Sequence, residues 1–405
     1  MHTTDVLISG AGIAGSAAAF WLARAGFSVT VVERAPAPRP GGQAVDLRGA
    51  GRTVVERMGL LDRAREIATD QHGLELVGDD GRSLFRLPVD SFGGEGIISE
   101  IEILRGDLAT MLHDAVPAGT DYIFDDTITA LDADDDGVTV RLEKSAAIRC
   151  RLVIGADGSH SVVRNLILGG DAGVRPMNCY TSWFSSDAAI DGHGWVQMHN
   201  APGGRVAMVR PGTSPGDLKV GLSFRSTPFD YDRRDLHAQQ DILSRRFAGV
   251  GWEVPRLLDA MRSADDFFFD SMDQIHLDHW HQGRVVLLGD AGYCASPLTG
   301  LGTSLALVGS YVLAGELSAA GADHATAFAR YEQIMRPYVS QAQTLPPGGA
   351  GGFAPSSRFM IKLRTASMRA SLRWPLNRMM ARQFAKADAI ELPDYTLHAD
   401  PVGRR

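Results

Sequence analysis

Four residues near the start of the chain have the types and spacing needed to hold a dinucleotide. Gly10, Gly12 and Gly15 form Gly-x-Gly-x-x-Gly with Ala14 between the last two, and Glu33-Arg34 closes the next apolar run. The first glycine permits a tight turn. The second lets a pyrophosphate approach the backbone, and the third lets helix and strand pack closely. The pyrophosphate then meets free N–H groups and the positive end of the helix dipole. Glu33 stands where a carboxylate can accept hydrogen bonds from ribose hydroxyls. Such residues need a strand–turn–helix–strand frame. The sequence supplies it: apolar Asp5–Ser9, an alanine-rich helix over Ser16–Ala25, and a second strand over Phe27–Val32.

Two further motifs follow the same logic. Asp157-Gly158-Ser159 comes after the apolar run Cys150–Ile154, and Gly289-Asp290-Ala291 comes after Arg284–Leu288. Each aspartate is therefore presented at the carboxyl end of a strand, where open α/β sheets bind their ligands. Asp290 is followed by Pro297-Leu298-Thr299-Gly300-Leu301-Gly302. Its glycines expose N–H groups at the start of a long helix over Gly302–Ala319, a place that favours an electron-rich ring edge. Taken singly, either aspartate reads equally as a turn former or a helix cap.

The rest of the chain divides by pattern. Residues 1–174 and 281–345 read as a discontinuous Rossmann-like nucleotide domain of α/β class. Residues 175–280 read as an interleaved β-rich domain on the substrate side, with aromatic strands over Tyr180–Phe184, Trp195–His199, Val206–Val209 and Val220–Phe224 and a helix over Leu236–Phe247. A hairpin over Leu74–Leu87, and with it residues 74–100, could belong to the same side. Pro346 to Gly352 is a glycine-rich break. Beyond it, residues 353–390 read as a basic C-terminal helical segment that bridges the domains by packing Phe359, Leu363, Leu372 and Met379 inward.

Composition narrows the function classes. The chain has 405 residues, a net charge of −8, and 44% hydrophobic and 22% charged residues. That is ordinary globular composition, and the acidic balance argues against nucleic-acid partners. Cys150, Cys179 and Cys294 are widely spaced and read as reduced thiols of a cytoplasmic protein. No run of about twenty apolar residues is evident, so no membrane contact is expected. His276, His279 and His281 lack an obvious carboxylate or thiol shell, so no metal is expected.

As an ordered set, these motifs resemble the single-component FAD-dependent aromatic hydroxylases of the para-hydroxybenzoate hydroxylase type. Within them the chain is most similar to the tetracycline-modifying and polyketide-tailoring flavin monooxygenases. The resemblance covers about residues 4–340 and implies FAD as cofactor, with NADPH or NADH and O2 as co-substrates. It implies that Gly10, Gly12, Ala14, Gly15, Glu33 and Arg34 hold the ADP half of FAD. Arg105 would touch its phosphate and ribityl region, Arg39 would be a further FAD-contacting arginine, and Asp157 would lie near the pyrophosphate and the pyridine-nucleotide path. Asp290 would hold the ribityl chain, and Pro297, Gly300, Leu301 and Gly302 would run along the flavin ring. The implied reaction hydroxylates an aromatic or polyketide-like small molecule through a flavin C4a-hydroperoxide, without a catalytic side chain. Gln197, His199 and Arg210 are the candidates to orient that substrate. Where the family often has Ala-His after Gly-Asp-Ala, this chain has Gly292-Tyr293. Another FAD-fold oxidoreductase, a halogenase or reductase, is the first alternative, although Gly194-Trp195-Val196 does not match the halogenase Trp-x-Trp-x-Ile-Pro segment. A non-catalytic FAD-binding protein is the second. Monomer and homodimer both remain open.

Overall fold

The computed structural model describes residues 2–38, 41–94, 96, 98–170, 172–190, 192–214, 216–373 and 385–395. Two large sheets organise them. The first has a parallel core in the order Val285–Leu287, Ile148–Gly155, His2–Ser9, Val29–Glu33, Asp121–Phe124. The antiparallel strand His281–Gln282 flanks Val285–Leu287, and the hairpin Ile128–Ala133/Val138–Leu142 joins Ile148–Gly155. The central strands bury both faces, which is why they read as continuous apolar runs.

Against this sheet packs the helix Ile13–Arg24, whose alanines allow close approach to Gly302–Ala320. By length and composition Gly302–Ala320 could cross a membrane, which sequence inspection overlooked. It is a core helix: fifteen of its residues are buried, and its apolar side chains are sandwiched between Ile13–Arg24 and His324–Ala342.

The second sheet has the order Phe268–Ser271, Cys179–Ser186, Leu218–Arg225, Arg205–Pro211, Trp195–Ala201, Gly73–Val77, Ser83–Pro88. The expected hairpin at 74–87 is thus its far edge, joined through a parallel pairing with Trp195–Ala201. One face, bearing Tyr180, Phe184, Val209, Val220, Leu222 and Phe224, packs on the helices Leu236–Phe247 and Val254–Arg262. The opposite face is buried too. Val196, Met198 and Val206 there join a smaller cluster with Leu74, Leu76 and Ala354.

The C-terminal region departs from expectation in two ways. The glycine-rich break contains a short helix, Gly349–Phe353. The helix Arg358–Ser371 is rotated relative to the expected packing. Phe359 is 72% exposed, and Leu363 and Leu372 are also exposed. Arg364 and Met368, one helical turn apart, face inward instead. Arg364 donates to Asn200 Oδ1 and lies 3.5 Å from the Met198 sulfur. Met379 lies outside the described residues.

Candidate functional site

The parallel register brings the three sequence motifs to one edge. Ser9 pairs with Val32 on one side and Gly155 on the other, and Gly155 pairs with Leu287. The turns that follow these strands therefore leave the sheet side by side. Gly10 has φ +99°, and a Cβ there would lie 2.7 Å from the Ala156 carbonyl oxygen. A Cβ on Gly15 would overlap the Gly10 carbonyl. Both glycines are thus required by the protein's own packing. Gly12 is different. Its backbone is extended (φ −74°, ψ −169°) at the N-cap of Ile13–Arg24, and the nearest group its Cβ would meet is Arg105 Nη2 at 3.9 Å. The space before this helix start is open and faces a guanidinium, which fits a pyrophosphate.

Glu33 spans the turn beside it. Its Oε2 accepts the Ala11 N–H at 2.7 Å and its Oε1 accepts the Ala35 N–H at 2.8 Å. The carboxylate is thereby fixed at the edge of the opening. Ala14 serves packing: its Cβ would lie 3.0 Å from a Cβ on Gly289, and its carbonyl accepts the Ser310 hydroxyl at 2.9 Å. Arg34 is exposed just past the strand end. Arg39 lies outside the described residues.

Asp157 is a structural anchor in this arrangement. Its carboxylate accepts the Ser161 hydroxyl, the Ser9 hydroxyl at 3.3 Å, and the N–H groups of Val162 at 2.9 Å and Val163 at 3.2 Å. It caps the helix Val162–Leu168 and ties it to the first strand. Burial raises its carboxyl above the usual range, and these donors oppose the rise.

Asp290 opens a single helical turn, Asp290–Tyr293, directly after Gly289 (φ +64°). Burial raises its carboxyl, while the Arg105 guanidinium and the Cys294 thiol oppose this. Arg105 thus links the Gly12 opening to Asp290. A Cβ on Gly302 would lie 3.8 Å from Asp290 Oδ1, so the start of the Gly302–Ala320 helix borders the same space. Pro297–Thr299 forms a 3-10 turn held by Ser296, whose hydroxyl donates to the Met272 carbonyl at 2.9 Å. Gly300 follows in the left-handed region (φ +67°), 3.5 Å from Asp46 Oδ2 when a Cβ is placed on it. Leu301 is buried at the N-cap of the long helix. Gly12, Arg105, Asp290 and the start of the Gly302–Ala320 helix therefore stand close to one another at the carboxyl edge of the sheet.

Residues 3–344 match the FAD-binding domain family. A flavin-dependent monooxygenase from an unknown prokaryotic organism is 37% identical over 398 residues, covering 97% of this chain and all of that protein. The chain belongs to the family of flavin-dependent monooxygenases. An uncharacterized protein of Mycobacterium tuberculosis, MT1298, is 45% identical over 351 residues, covering 85% of this chain and 94% of its own. The crystal structure of tetracycline destructase Tet(55) superimposes with a TM-score of 0.81 at 34% identity, covering 97% of this chain and 99% of that one.

The monooxygenase's second sheet separates the three substrate candidates by face. Arg210 is buried on the face opposite the helices. Its Nη2 lies 3.0 and 3.1 Å from the two Glu102 oxygens, and its guanidinium stands 5.9 Å from the Trp183 ring. Lys219 shares this face, donating to Ser185 Oγ at 2.6 Å and Asp217 Oδ1 at 3.0 Å. A Cβ on Gly41 would lie 3.9 Å from Lys219 Nζ, so this face looks at the loop before Ala44–Asp46, whose Gly41 carbonyl accepts the Gly106 N–H of the Arg105 helix at 2.7 Å. Gln197 and His199 lie on the other face. Gln197 Nε2 donates to Glu75 Oε2 at 2.9 Å. His199 Nδ1 bonds the Val77 carbonyl at 3.1 Å, and its ring sits 5.8 Å from Trp252. The structure thus sets Arg210 on one face of the sheet, with Glu102, Trp183 and Lys219, and Gln197 and His199 on the other. Trp183, Lys219, Glu102 and Asp46 escaped sequence reasoning. The one signal for them was strand alternation: Lys219 and Trp183 occupy facing strands at the parity of Arg210.

Proposed function

We propose that this monooxygenase uses NADPH or NADH and O2 to hydroxylate an aromatic or polyketide-like substrate, tetracycline-like compounds included. The observation that carries the reading is the sheet face holding Trp183, Arg210 and Lys219, turned towards Glu102 and towards the Gly41 loop that packs on the start of the Arg105 helix. Similarity to tetracycline destructase Tet(55) supports the polyketide-like class. FAD, when bound, supplies the redox and oxygen-transfer chemistry. This chain's residues bind and orient it. Gly12 and the first helix start take the pyrophosphate, with Arg105 as counter-charge. Glu33 accepts the ribose hydroxyls and Asp290 the ribityl hydroxyls. Pro297, Gly300, Leu301 and Gly302 border the ring. Asp157 acts one step back, fixing the turn beside Gly10. Trp183 offers a flat apolar surface to an aromatic ring, and Arg210 and Lys219 orient its oxygen substituents. Residues 175–280 then serve as the substrate side, and their buried sheet keeps water from the reacting centre.

The test is oxygen incorporation. The FAD-loaded protein is incubated with NADPH, a panel of phenols and tetracyclines, and isotopically labelled O2. A product carrying one labelled oxygen atom is expected. Consumption of NADPH with hydrogen peroxide alone across the panel would speak for an oxidase or reductase.

A further inference from the structure

Glu102 occupies an unusual place. It starts the short strand Glu102–Leu104, three residues before Arg105, and its carboxylate is buried in the seam between the two sheets. From the substrate sheet, Arg210 reaches both of its oxygens. From the segment before Gly73–Val77, Gln71 donates to the same carboxylate and in turn to Thr69 Oγ1 at 2.7 Å. From the paired strand Ala44–Asp46, Asp46 stands directly opposite Glu102. Residues in that relation project their side chains to one side, with Cβ atoms about 5 Å apart. Asp46 is held by Arg48 Nη2 at 2.7 Å and by the Ser99 N–H at 3.1 Å. The result is a buried row, Arg48–Asp46–Glu102–Arg210, running from the Gly300 turn to the substrate face.

Two carboxylates side by side away from water resist ionising together. Burial and the Asp46 charge push the Glu102 carboxyl up to about 7, and Arg210 opposes them. A proton on Glu102 takes away the charge that neutralises Arg210. Arg210 is packed beside Trp183 on the face opposite the helices, so its guanidinium then has an aromatic surface next to it and needs an anion.

We propose that Glu102 is a positioning residue that decides whether the constant positive charge of Arg210 is compensated from within the protein, so that the site with a neutral Glu102 selects acidic aromatic ligands: carboxylates, phenolates or enolates. The inference rests on the substrate face proposed above. Charge balance is simple. A proton from solvent settles on Glu102, its ion pair with Arg210 loosens, and the ligand's anionic oxygen replaces the carboxylate at the guanidinium.

The experiment uses the FAD-loaded protein and two probes of equal shape, benzoate and benzamide, titrated by their perturbation of the flavin absorbance. Benzoate binding is expected to weaken by about tenfold between about pH 6 and about pH 8, while benzamide binding stays level. In Glu102→Gln, benzoate binding should stay tight and lose this pH dependence. In Glu102→Asp, the pH dependence should return. Arg210→Gln should abolish the preference for benzoate. Flat benzoate binding in the unmodified protein overturns the proposal, whatever the variants do, and so does a pH dependence that survives in Glu102→Gln. If neither probe perturbs the flavin, the substrate face itself is misplaced and the proposal falls with it. If both bind equally at every pH, the face stands and only the role of Glu102 fails.

Discussion

Replacing Gly12 with alanine separates cofactor binding from folding. Gly12 adopts an extended backbone that alanine accepts, and its added Cβ would find nothing nearer than 3.9 Å. Stiffening the unfolded chain stabilises by roughly 0.4–1 kcal/mol. Losing glycine at an N-cap costs about 0.5 kcal/mol. These nearly cancel, so the FAD-free protein should unfold within about 0.5 kcal/mol of the unmodified chain. The methyl group, however, points into the opening before the helix. A phosphate oxygen kept from an N–H there forfeits a charge-assisted hydrogen bond worth about 1.5–3 kcal/mol. FAD affinity should fall by about one to two orders of magnitude. Gly15→Ala should do the opposite of a clean separation. Its Cβ overlaps the Gly10 carbonyl, backbone against backbone, and should cost about 3 kcal/mol or more of stability. Urea unfolding of the FAD-free protein and fluorescence titration with FAD measure both quantities. A stable Gly12→Ala protein with undiminished FAD affinity would refute the position assigned to the pyrophosphate.

Other consequences follow from single contacts. Glu33→Gln keeps one acceptor but sets an amide NH2 against a backbone N–H; it should lower stability by about 1.5–3 kcal/mol and weaken FAD, both seen in the same unfolding and titration experiments. Asp157→Ala leaves the Ser161 hydroxyl and two helix N–H groups without their acceptor. A loss of about 2–3 kcal/mol is expected by urea unfolding, and an unchanged midpoint would show that the cap is unimportant. Glu102 gives a pH signature. Its carboxyl is raised in the fold, so ionising it is harder folded than unfolded. The resulting penalty is absent below the ordinary glutamate range, grows as pH rises towards about 7, and is constant above. Relative to Glu102→Gln, the unmodified protein should lose stability over that window; a difference that stays level with pH, or rises, would contradict the assignment.

What the sequence made legible was local. Each nucleotide motif is a strand followed by a turn, and its backbone shape is set within a few residues, so the turn glycines Gly10 and Gly15 and the strand-end positions of Glu33 and Asp290 could be read directly. Asp157 was visible as a residue at a strand end, but its use as a helix anchor depends on Ser161, Val162 and Val163. The substrate side was harder for a physical reason. The strands Cys179–Ser186, Trp195–Ala201, Arg205–Pro211 and Leu218–Arg225 are buried on both faces, so hydrophobic alternation does not say which parity faces Glu102 and Gly41. The direction of the strand Val206–Val209 put Arg210 ahead of Gln197 and His199, but nothing in the sequence placed them on opposite faces. The Glu102–Arg210 pair spans 108 residues and arises only when the sheets dock. The C-terminal helix misled through composition: its large apolar residues suggested an inward face, whereas Arg364 takes that place by burying its stem and bonding Asn200.

The central claim, a substrate-responsive flavin monooxygenase, is tested most directly by anaerobic titration of the FAD-loaded protein with NADPH. Flavin bleaching is followed with and without phenols and tetracyclines. Bleaching that at least one aromatic class accelerates is expected. Absence of bleaching with NADPH and NADH under every condition would contradict it and favour a protein that only binds FAD.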